Sequence, residues 1–562
     1  MKLKLQVLKT DILIIGGGAA GLFAAIEASN KSDIKIIIAE KANIKRSGCL
    51  AAGVNALNAY ITENDTPEAF VDYVSKEFQG LVRKDLIYSI AKKLNSVTDK
   101  IEKYGLTILK DKNGKYVCRG KRSIKINGEN IKPLISNVVK GKDNINVLNL
   151  VNIYDYIIKQ GKVIGAYGFS LDENKFYVIY AKATICTTGG AAGIYKPNNP
   201  TFSRHKMWYS PFNTGAGYAM GIRAGAEMTT FEMRFIALRC KDTIAPTGTI
   251  AQGVRAEQVN INGELYVKKY GKTTTVNRLY STVQENLEGR GPCFLKTEGI
   301  TEKQDEELFK AYLNMAPAQT LKWIENGTAP STENVEIQGT EPYIVGGHTA
   351  SGYWVDSNRK TTLNGLYSAG DVTGGSPKKY VTGCFAEGEI AALHAIKYIE
   401  NVQIETLEEK KILNKLNSIN KYFSNEDSLY SIDEVEEAMQ KIMDEYAGGI
   451  SENYVYTKDK LSIASNRIDE LIKITKNLKA NDVHELLFIQ EIIDRLYVAK
   501  VLIVHLKTRE ETRWKCYGEN GNFKDKDDIR WLKYINSVYK EGKIQVILRD
   551  LVGRDELYEH KD

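Results

Sequence analysis

Residues 11–29 read DILIIGGGAAGLFAAIEAS. Residues 12–15 are apolar and predict a strand, after which the pattern switches to Gly16-x-Gly18-x-x-Gly21 and an alanine-rich helix. Each glycine has its own task. Gly16 permits the tight turn, Gly18 lets the backbone approach a pyrophosphate, and Gly21 lets helix and strand pack closely. The first helical N–H groups, at Ala19 and Ala20, then face the phosphates with the positive end of the helix dipole behind them. A second apolar run, residues 34–39, ends at Glu40, which is followed by Lys41. A carboxylate at that point accepts hydrogen bonds from an adenosine ribose.

Two distant segments fit the same nucleotide. Residues 183–193, ATICTTGGAAG, form an apolar strand that ends in Thr188, Gly189 and Gly190. Residues 365–375, GLYSAGDVTGG, form another that ends in Gly370-Asp371, a pair that resembles the stretch by which large flavoproteins hold the ribityl and pyrophosphate of FAD. A nicotinamide enzyme normally completes its nucleotide fold within about 150–200 contiguous residues. Here the pieces lie much further apart, so the pattern is that of a flavoprotein with an inserted domain. The expected fold class is α/β (α+β overall). A Rossmann-like FAD-binding domain (1–234 and 344–402) is split by a capping domain (235–343) and followed by a helical C-terminal domain (404–562). The tail is read as helical from apolar residues at three- and four-residue spacing over 461–478 and 483–506.

Composition excludes more than it identifies. The 562 residues suffice for three or four folded units, and 43% hydrophobic with 26% charged residues is ordinary globular composition. A net charge of +7 is too dilute to imply nucleic acid. Seven cysteines without a CxxC pair argue against a disulfide framework, a zinc ribbon and a cluster of this chain's own. No apolar run approaches the roughly 18 residues of a membrane span. The expectation is a cytoplasmic protein.

Residues 45–60, KRSGCLAAGVNALNAY, resemble the flavin-approach segment of the fumarate reductase/succinate dehydrogenase flavoprotein superfamily. Its respiratory members attach FAD through a histidine after Arg-Ser. Here Gly48 follows Ser47, which implies non-covalent FAD. The dicarboxylate enzymes' His-x-Thr-x-Gly-Gly and Gly-Asn-Ser-Leu signatures are absent. Instead the chain is similar to the α subunits of adenylylsulfate reductases in Trp208-Tyr209, residues 214–225 (TGAGYAMGIRAG) and 231–242 (FEMRFIALRCKD). The similarity continues in residues 314–323 (NMAPAQTLKW), 341–354 (EPYIVGGHTASGYW), 374–388 (GGSPKKYVTGCFAEG) and 509–514 (REETRW). The resemblance implies FAD contacts at Ser47, Gly48, Gly53 and Glu387 as well. It also implies reduction of adenosine 5′-phosphosulfate to AMP and sulfite through a flavin N5–sulfite adduct.

On that resemblance Arg239 is the sulfate-binding arginine, Asn58 lies beside flavin N5, His348 stands at the substrate, and Trp208 and Phe235 line the active site. Each has a plainer reading. Arg239, in an apolar stretch, would otherwise pair internally, for instance with Glu232; Asn58 would cap a turn. His348, read as a cation neutralising sulfate or as a proton-transfer group, would otherwise be satisfied by backbone. Trp208 and Phe235 would pack a core. The basic residues of 112–132 are either a funnel for an anionic nucleotide, a dock for an acidic ferredoxin-like protein, or a solvated face. Arg290, in a Gly-Arg-Gly-Pro turn, is read as structural.

With no cluster ligands and no second dinucleotide fingerprint, the electrons must come from another protein. In adenylylsulfate reductases that protein is an iron–sulfur β subunit. The alternatives are a fumarate reductase or L-aspartate oxidase-like enzyme acting on a dicarboxylate, or a non-catalytic flavin-bearing electron-transfer subunit.

Overall fold

The computed structural model describes residues 2–198, 207–426 and 428–560. The apolar runs of the sequence become inner strands, because a strand covered on both faces needs no polar alternation. Strand β1 (Lys4–Ile15) pairs in parallel with β2 (Ile36–Glu40), Ile12 beside Ile36 and Ile15 beside Ala39. After a small antiparallel pair, β3 (Val54–Leu57) and β4 (Ile124–Gly128), the chain returns as β5 (Ile145–Asn149), which lies beyond β2 and is again parallel. On its other side β1 runs along β8 (Lys175–Cys186), with Ile15 beside Cys186. The end of β8 takes a parallel neighbour, β15 (Leu366–Ser368), from far along the chain, and its earlier part pairs with antiparallel β7 (Lys162–Ser170). Strand β6 (Val151–Lys159) closes this seven-stranded sheet of the described residues.

Strands β1, β2, β8 and β15 all end at one edge, the place where open α/β sheets take ligands. Helix α1 (Ala19–Lys31) starts there and packs on α5 (Tyr380–Ile399), with the Phe23 and Phe385 rings stacked 3.8 Å apart. The glycine turn and the segment after Gly370 therefore meet in space although they are far apart in sequence.

Between residues 235 and 343 the chain builds a separate antiparallel sheet of β10 (Leu238–Cys240), β13 (Val335–Gly339), β12 (Cys293–Leu295) and β11 (Gln258–Val259). It has a small core of its own around Ile250, Leu295, Tyr312, Trp323 and Ile337. Helices α3 (Thr247–Gly253) and α4 (Thr275–Leu287) belong to this region.

The tail differs from the helical expectation. Helices α6 (Ile432–Tyr446), α7 (Lys458–Ile474) and α8 (Val483–Thr508) are present, but β16 (Tyr534–Lys540) and β17 (Lys543–Arg549) then form a hairpin. Its turn, Glu541-Gly542, has positive φ at both residues (51° and 79°), as in the type I′ turns that match right-twisted strands. The hairpin adds to β9 (Met228–Thr229) and β14 (Gly352–Tyr353), so the tail completes a sheet begun 300 residues earlier.

Buried ions fasten the tail to residues 231–234. Arg509 Nε donates to Glu232 Oε1 (2.8 Å) and its Nη1 to Glu511 Oε1 (2.9 Å), and Arg513 Nε donates to the same Glu511 oxygen (2.7 Å). Arg234 donates to the carbonyls of Ala447 (2.8 Å), Gly448 (2.6 Å), Tyr454 (3.0 Å), Cys516 (3.1 Å) and Tyr517 (3.0 Å). Among the described residues no helix is long and apolar enough to cross a membrane, and no group of His, Cys, Asp or Glu is gathered as a metal site.

Candidate active site

A cavity of about 1230 Å³ opens at the carboxyl edge of the parallel strands and runs beneath the small antiparallel sheet. Of the candidate residues, all but Gly21, Gly190 and Glu387 line it.

The nucleotide end follows from the glycine turn. Gly16 has φ +98°, and a Cβ there would meet the Thr187 carbonyl oxygen at 2.7 Å. At Gly21 a Cβ would overlap the Gly16 carbonyl, so this residue acts by packing and does not face the cavity. Gly18 differs, since a Cβ would meet only Thr187 O, at 3.8 Å, and the space it leaves belongs to the cavity. It precedes α1 with no side-chain cap, so Ala19, Ala20 and their neighbours present free N–H groups. Glu40 Oε2 accepts from Gly17 N (2.7 Å) and Oε1 from Ala42 N (2.8 Å). A carboxylate has further lone pairs for a ribose hydroxyl.

Other wall residues present the chemistry a flavin nucleotide requires. Ser47 Oγ is buried without a hydrogen-bond partner. Gly48, Gly53, Thr188 and Gly189 line the same wall. Asp371 Oδ2 accepts from the Tyr209 hydroxyl (2.9 Å), which itself accepts from Gly190 N (3.0 Å). Burial pushes the Asp371 carboxyl up, while Lys379 opposes the shift. The free helix-start N–H groups, the orphaned Ser47 hydroxyl and the open space at Gly18 fit a bound FAD.

At the other end of the cavity aromatic rings surround a cation. The Arg239 guanidinium carbon lies 5.3 Å from the Trp208 ring centroid. Trp208 packs 4.5 Å from Phe235, and His348 lies 4.9 Å from Trp208 and 4.7 Å from Phe235. The Tyr343 ring meets that of Trp208 in a T-shaped contact (5.4 Å), and its hydroxyl oxygen accepts from Trp208 N (3.0 Å). The Nε of Arg239 is buried and unpartnered, and burial lowers its pKa to about 10, so it remains a cation at neutral pH. Glu232, the alternative partner, is taken by Arg509 and His505. Ser123 Oγ donates to Asn58 Oδ1 (3.1 Å), which leaves the Asn58 amide nitrogen to donate into the cavity.

The structure corrects several expectations. Burial, with Lys378 and Arg239 nearby, lowers the His348 pKa to about 3, which favours the proton-transfer reading over the cationic one. Glu387 lies behind the Gly370-Asp371 turn, not in the cavity. Its oxygens are taken by Arg359 Nε (2.9 Å), Lys379 Nζ (2.9 Å) and Gly370 N (2.8 Å), so it fixes the turn from within. Gly190 uses its N–H on Tyr209, and Lys41 pairs with Glu491 (2.6 Å) and donates to Phe212 O (2.6 Å). The basic residues of 112–132 do not form one face. Lys115 pairs with Glu63 and Arg122 with Asp65, while Lys132 is fully buried. From α2 (Ile131–Lys140) Lys132 donates to the carbonyls of Gly17 and Ile44 (2.7 Å to the latter), and burial lowers its pKa to about 8. Arg290 is paired with Glu285 and Glu288.

Sequence reasoning missed Arg119, Arg278, Lys378, Tyr380 and Tyr209, all of which line the cavity. Arg119 was present only as one member of the basic stretch, and nothing in the sequence separates it from its solvated neighbours. Tyr209 had a signal, its place beside Trp208.

Comparison with known proteins agrees with this geometry. The family model described as an FAD binding domain matches residues 11–384. The chain is 29% identical to the adenylylsulfate reductase subunit alpha of Megalodesulfovibrio gigas, across 95% of this chain and 94% of that protein. It superimposes on adenylylsulfate reductase from Archaeoglobus fulgidus with TM-score 0.94 at 31% identity, covering 99% of this chain and 98% of the other. An adenosine-5-phosphosulfate reductase in complex with sulfite as a covalent adduct matches equally well, with TM-score 0.94, 30% identity and the same coverage.

Proposed function

Because the chain belongs to the FAD-binding domain family and, within it, to the adenylylsulfate reductases, we propose that it reduces adenosine 5′-phosphosulfate to AMP and sulfite with non-covalently bound FAD and electrons from an iron–sulfur partner subunit. The observation that carries this reading is the unpaired Arg239 guanidinium among Trp208, Phe235 and His348, at the far end of a cavity that begins at a dinucleotide turn. A half-buried cation that faces a cavity and has neither a carboxylate nor a carbonyl partner among the described residues is suited to an anion.

Held by the glycine turn, Ser47 and Gly370-Asp371, FAD would supply the electron pair that reduces the sulfur, and an N5–sulfite adduct, formed as the S–O bond to AMP breaks, is part of this proposal. The chain's residues do the rest. Arg239 donates to the sulfuryl oxygens and neutralises charge that shifts towards the leaving phosphate. A preorganised donor of this kind is worth roughly 2.7–4 kcal/mol in the transition state. Asn58 donates its amide N–H to another oxygen. Neutral His348 contributes one ring N–H and one acceptor, and an approaching dianion raises its pKa against the burial and the two cations that hold it low. Trp208 and Phe235 exclude water from the sulfur. Gly370 and Asp371, braced by Glu387 and Tyr209, hold the cofactor against this wall.

The partner reading is supported by the M. gigas relative, which is named as one subunit of its enzyme. The test is turnover with a small protein carrying two four-iron clusters and a low-potential donor. AMP and sulfite should appear from adenosine 5′-phosphosulfate. Fumarate reduction with the phosphosulfate left intact would replace this reading with the dicarboxylate one.

A further inference from the structure

Lys132 has no role in that scheme, and its surroundings are unusual for a lysine. It stands at the second position of α2 with no accessible surface, and both acceptors of its ammonium are backbone carbonyls. The elements packed on it bring few charges towards it. On α1, Glu27 pairs with Lys100 and Lys31 is exposed. In the loop after β2, Lys41 pairs with Glu491, and Lys45 and Arg46 are exposed. Among the described residues that leaves Glu40 as the one charge that faces it. An ammonium held out of water without a paired carboxylate is costly, and a methionine of the same reach would fill the space without that cost.

The charge acts on a single peptide unit. The Gly17 carbonyl that accepts from Lys132 belongs to the same peptide as the Gly18 N–H. In a trans peptide the two groups point in opposite directions, so the lysine behind the turn aims the Gly18 N–H away from α2. Gly18 lines the cavity, and its N–H has no partner among the described residues. Gly17 is fixed from its other side as well. Its N–H donates to Glu40 Oε2 (2.7 Å), and a Cβ there would meet Ile44 Cγ2 at 2.5 Å. Ile44 supplies the second acceptor of Lys132, and its own N–H is held by Asn149 Oδ1 (2.9 Å). A hydrogen bond from a cation polarises the peptide it reaches, so the N–H at the other end becomes a stronger donor.

We propose that Lys132 is a positioning residue for the cofactor diphosphate: it orients and polarises the Gly17–Gly18 peptide, so that the Gly18 N–H donates to a phosphate oxygen more strongly than an ordinary amide. This rests on FAD lying at the glycine turn. Lys132 itself touches no phosphate; it acts through the peptide.

Deprotonation separates the charge from the bonds. A neutral amine keeps two N–H groups and still holds both carbonyls, but it no longer acts on the peptide as a cation. Burial lowers the Lys132 pKa to about 8, with Glu40 opposing the shift. Above that pH the empty protein must take up a proton as it binds FAD, and affinity falls.

FAD binding to the flavin-stripped full chain, followed by quenching of flavin fluorescence, tests this in wild type and Lys132→Met. The wild-type dissociation constant should rise about 10-fold between pH 7 and 9, the protonated fraction lost across a pKa of about 8. At pH 7 Lys132→Met should bind FAD about 10- to 100-fold more weakly, the range of one charge-assisted contact. Its pH profile should be flat. A wild-type affinity that does not change with pH overturns the proposal and leaves Lys132 a structural brace. A slope that persists in Lys132→Met overturns it too, as does a variant that binds FAD at pH 7 like the wild type. If the variant does not fold, the wild-type profile decides alone. A wild type that takes up no FAD at any pH is a different failure, since it removes the cofactor itself from the glycine turn.

Discussion

Two sets of arginines in this molecule, one fully buried and one half-buried beside the cavity, are treated in opposite ways. In the tail, Arg509 and Arg513 are matched to Glu232 and Glu511 at 2.7–2.9 Å, with Asp528 adding a further oxygen to Arg513. In the cavity, Arg119, Arg239 and Arg278 have no such partners among the described residues, and the latter two keep buried nitrogens unbonded. Desolvating a guanidinium is costly in both places. Where the protein supplies carboxylates, or carbonyls as it does for Arg234, the arginine serves the fold; where guanidinium nitrogens stay unbonded beside a cavity, they are open to an anionic ligand.

That contrast can be broken at either end. The largest effect is expected for Arg509→Ala, which leaves Glu232 and Glu511 buried and underpaired. It should cost about 3–5 kcal/mol of stability, read as a lower urea midpoint, with turnover per folded molecule retained. Arg239→Ala should do the reverse. FAD absorbance and the urea midpoint stay, while kcat falls about 100- to 1000-fold; retained turnover would remove Arg239 from the site.

The glycine turn offers a finer version of the same test. Gly21→Ala must displace the Gly16 backbone and should damage folding, whereas Gly18→Ala meets open space and should fold but lose FAD affinity. Equal outcomes for the two would mean that Gly18 does not face the cofactor.

The smallest effect is a pH slope. The folded pKa of His348, near 3, lies below its ordinary 6.5. As pH falls the unfolded chain binds the proton first, so the stability His348 contributes is complete above about pH 6.5 and declines towards pH 3. His348→Asn should flatten that part of the stability profile, measured as urea midpoints at pH 7 and 4.5. Arg239→Gln should flatten it partly, because removing a nearby cation raises the pKa of His348.

Much of this was legible in the chain because its signals are local. A strand, a glycine turn and an alanine-rich helix occupy 19 consecutive residues, and Asp371 follows a strand of the same kind. The hairpin of residues 534–549 was equally local but was masked by the long helices before it. Glu387 could not be placed, because whether a carboxylate faces a cavity or the back of a turn depends on Arg359, which a separate segment delivers, and on how Lys379 at the start of its own helix turns towards it. The environment of His348 was likewise out of reach, since its burial and both neighbouring cations come from separate segments.

By itself the sequence determined that the chain builds a flavin-type nucleotide fold with an insertion, since periodicity and glycine spacing act over a few residues. Only the tertiary structure decided which charges are compensated. Compensation depends on oxygens and nitrogens coming within about 3 Å of one another, and here the partners, such as Glu232 and Arg509, lie hundreds of residues apart in the chain.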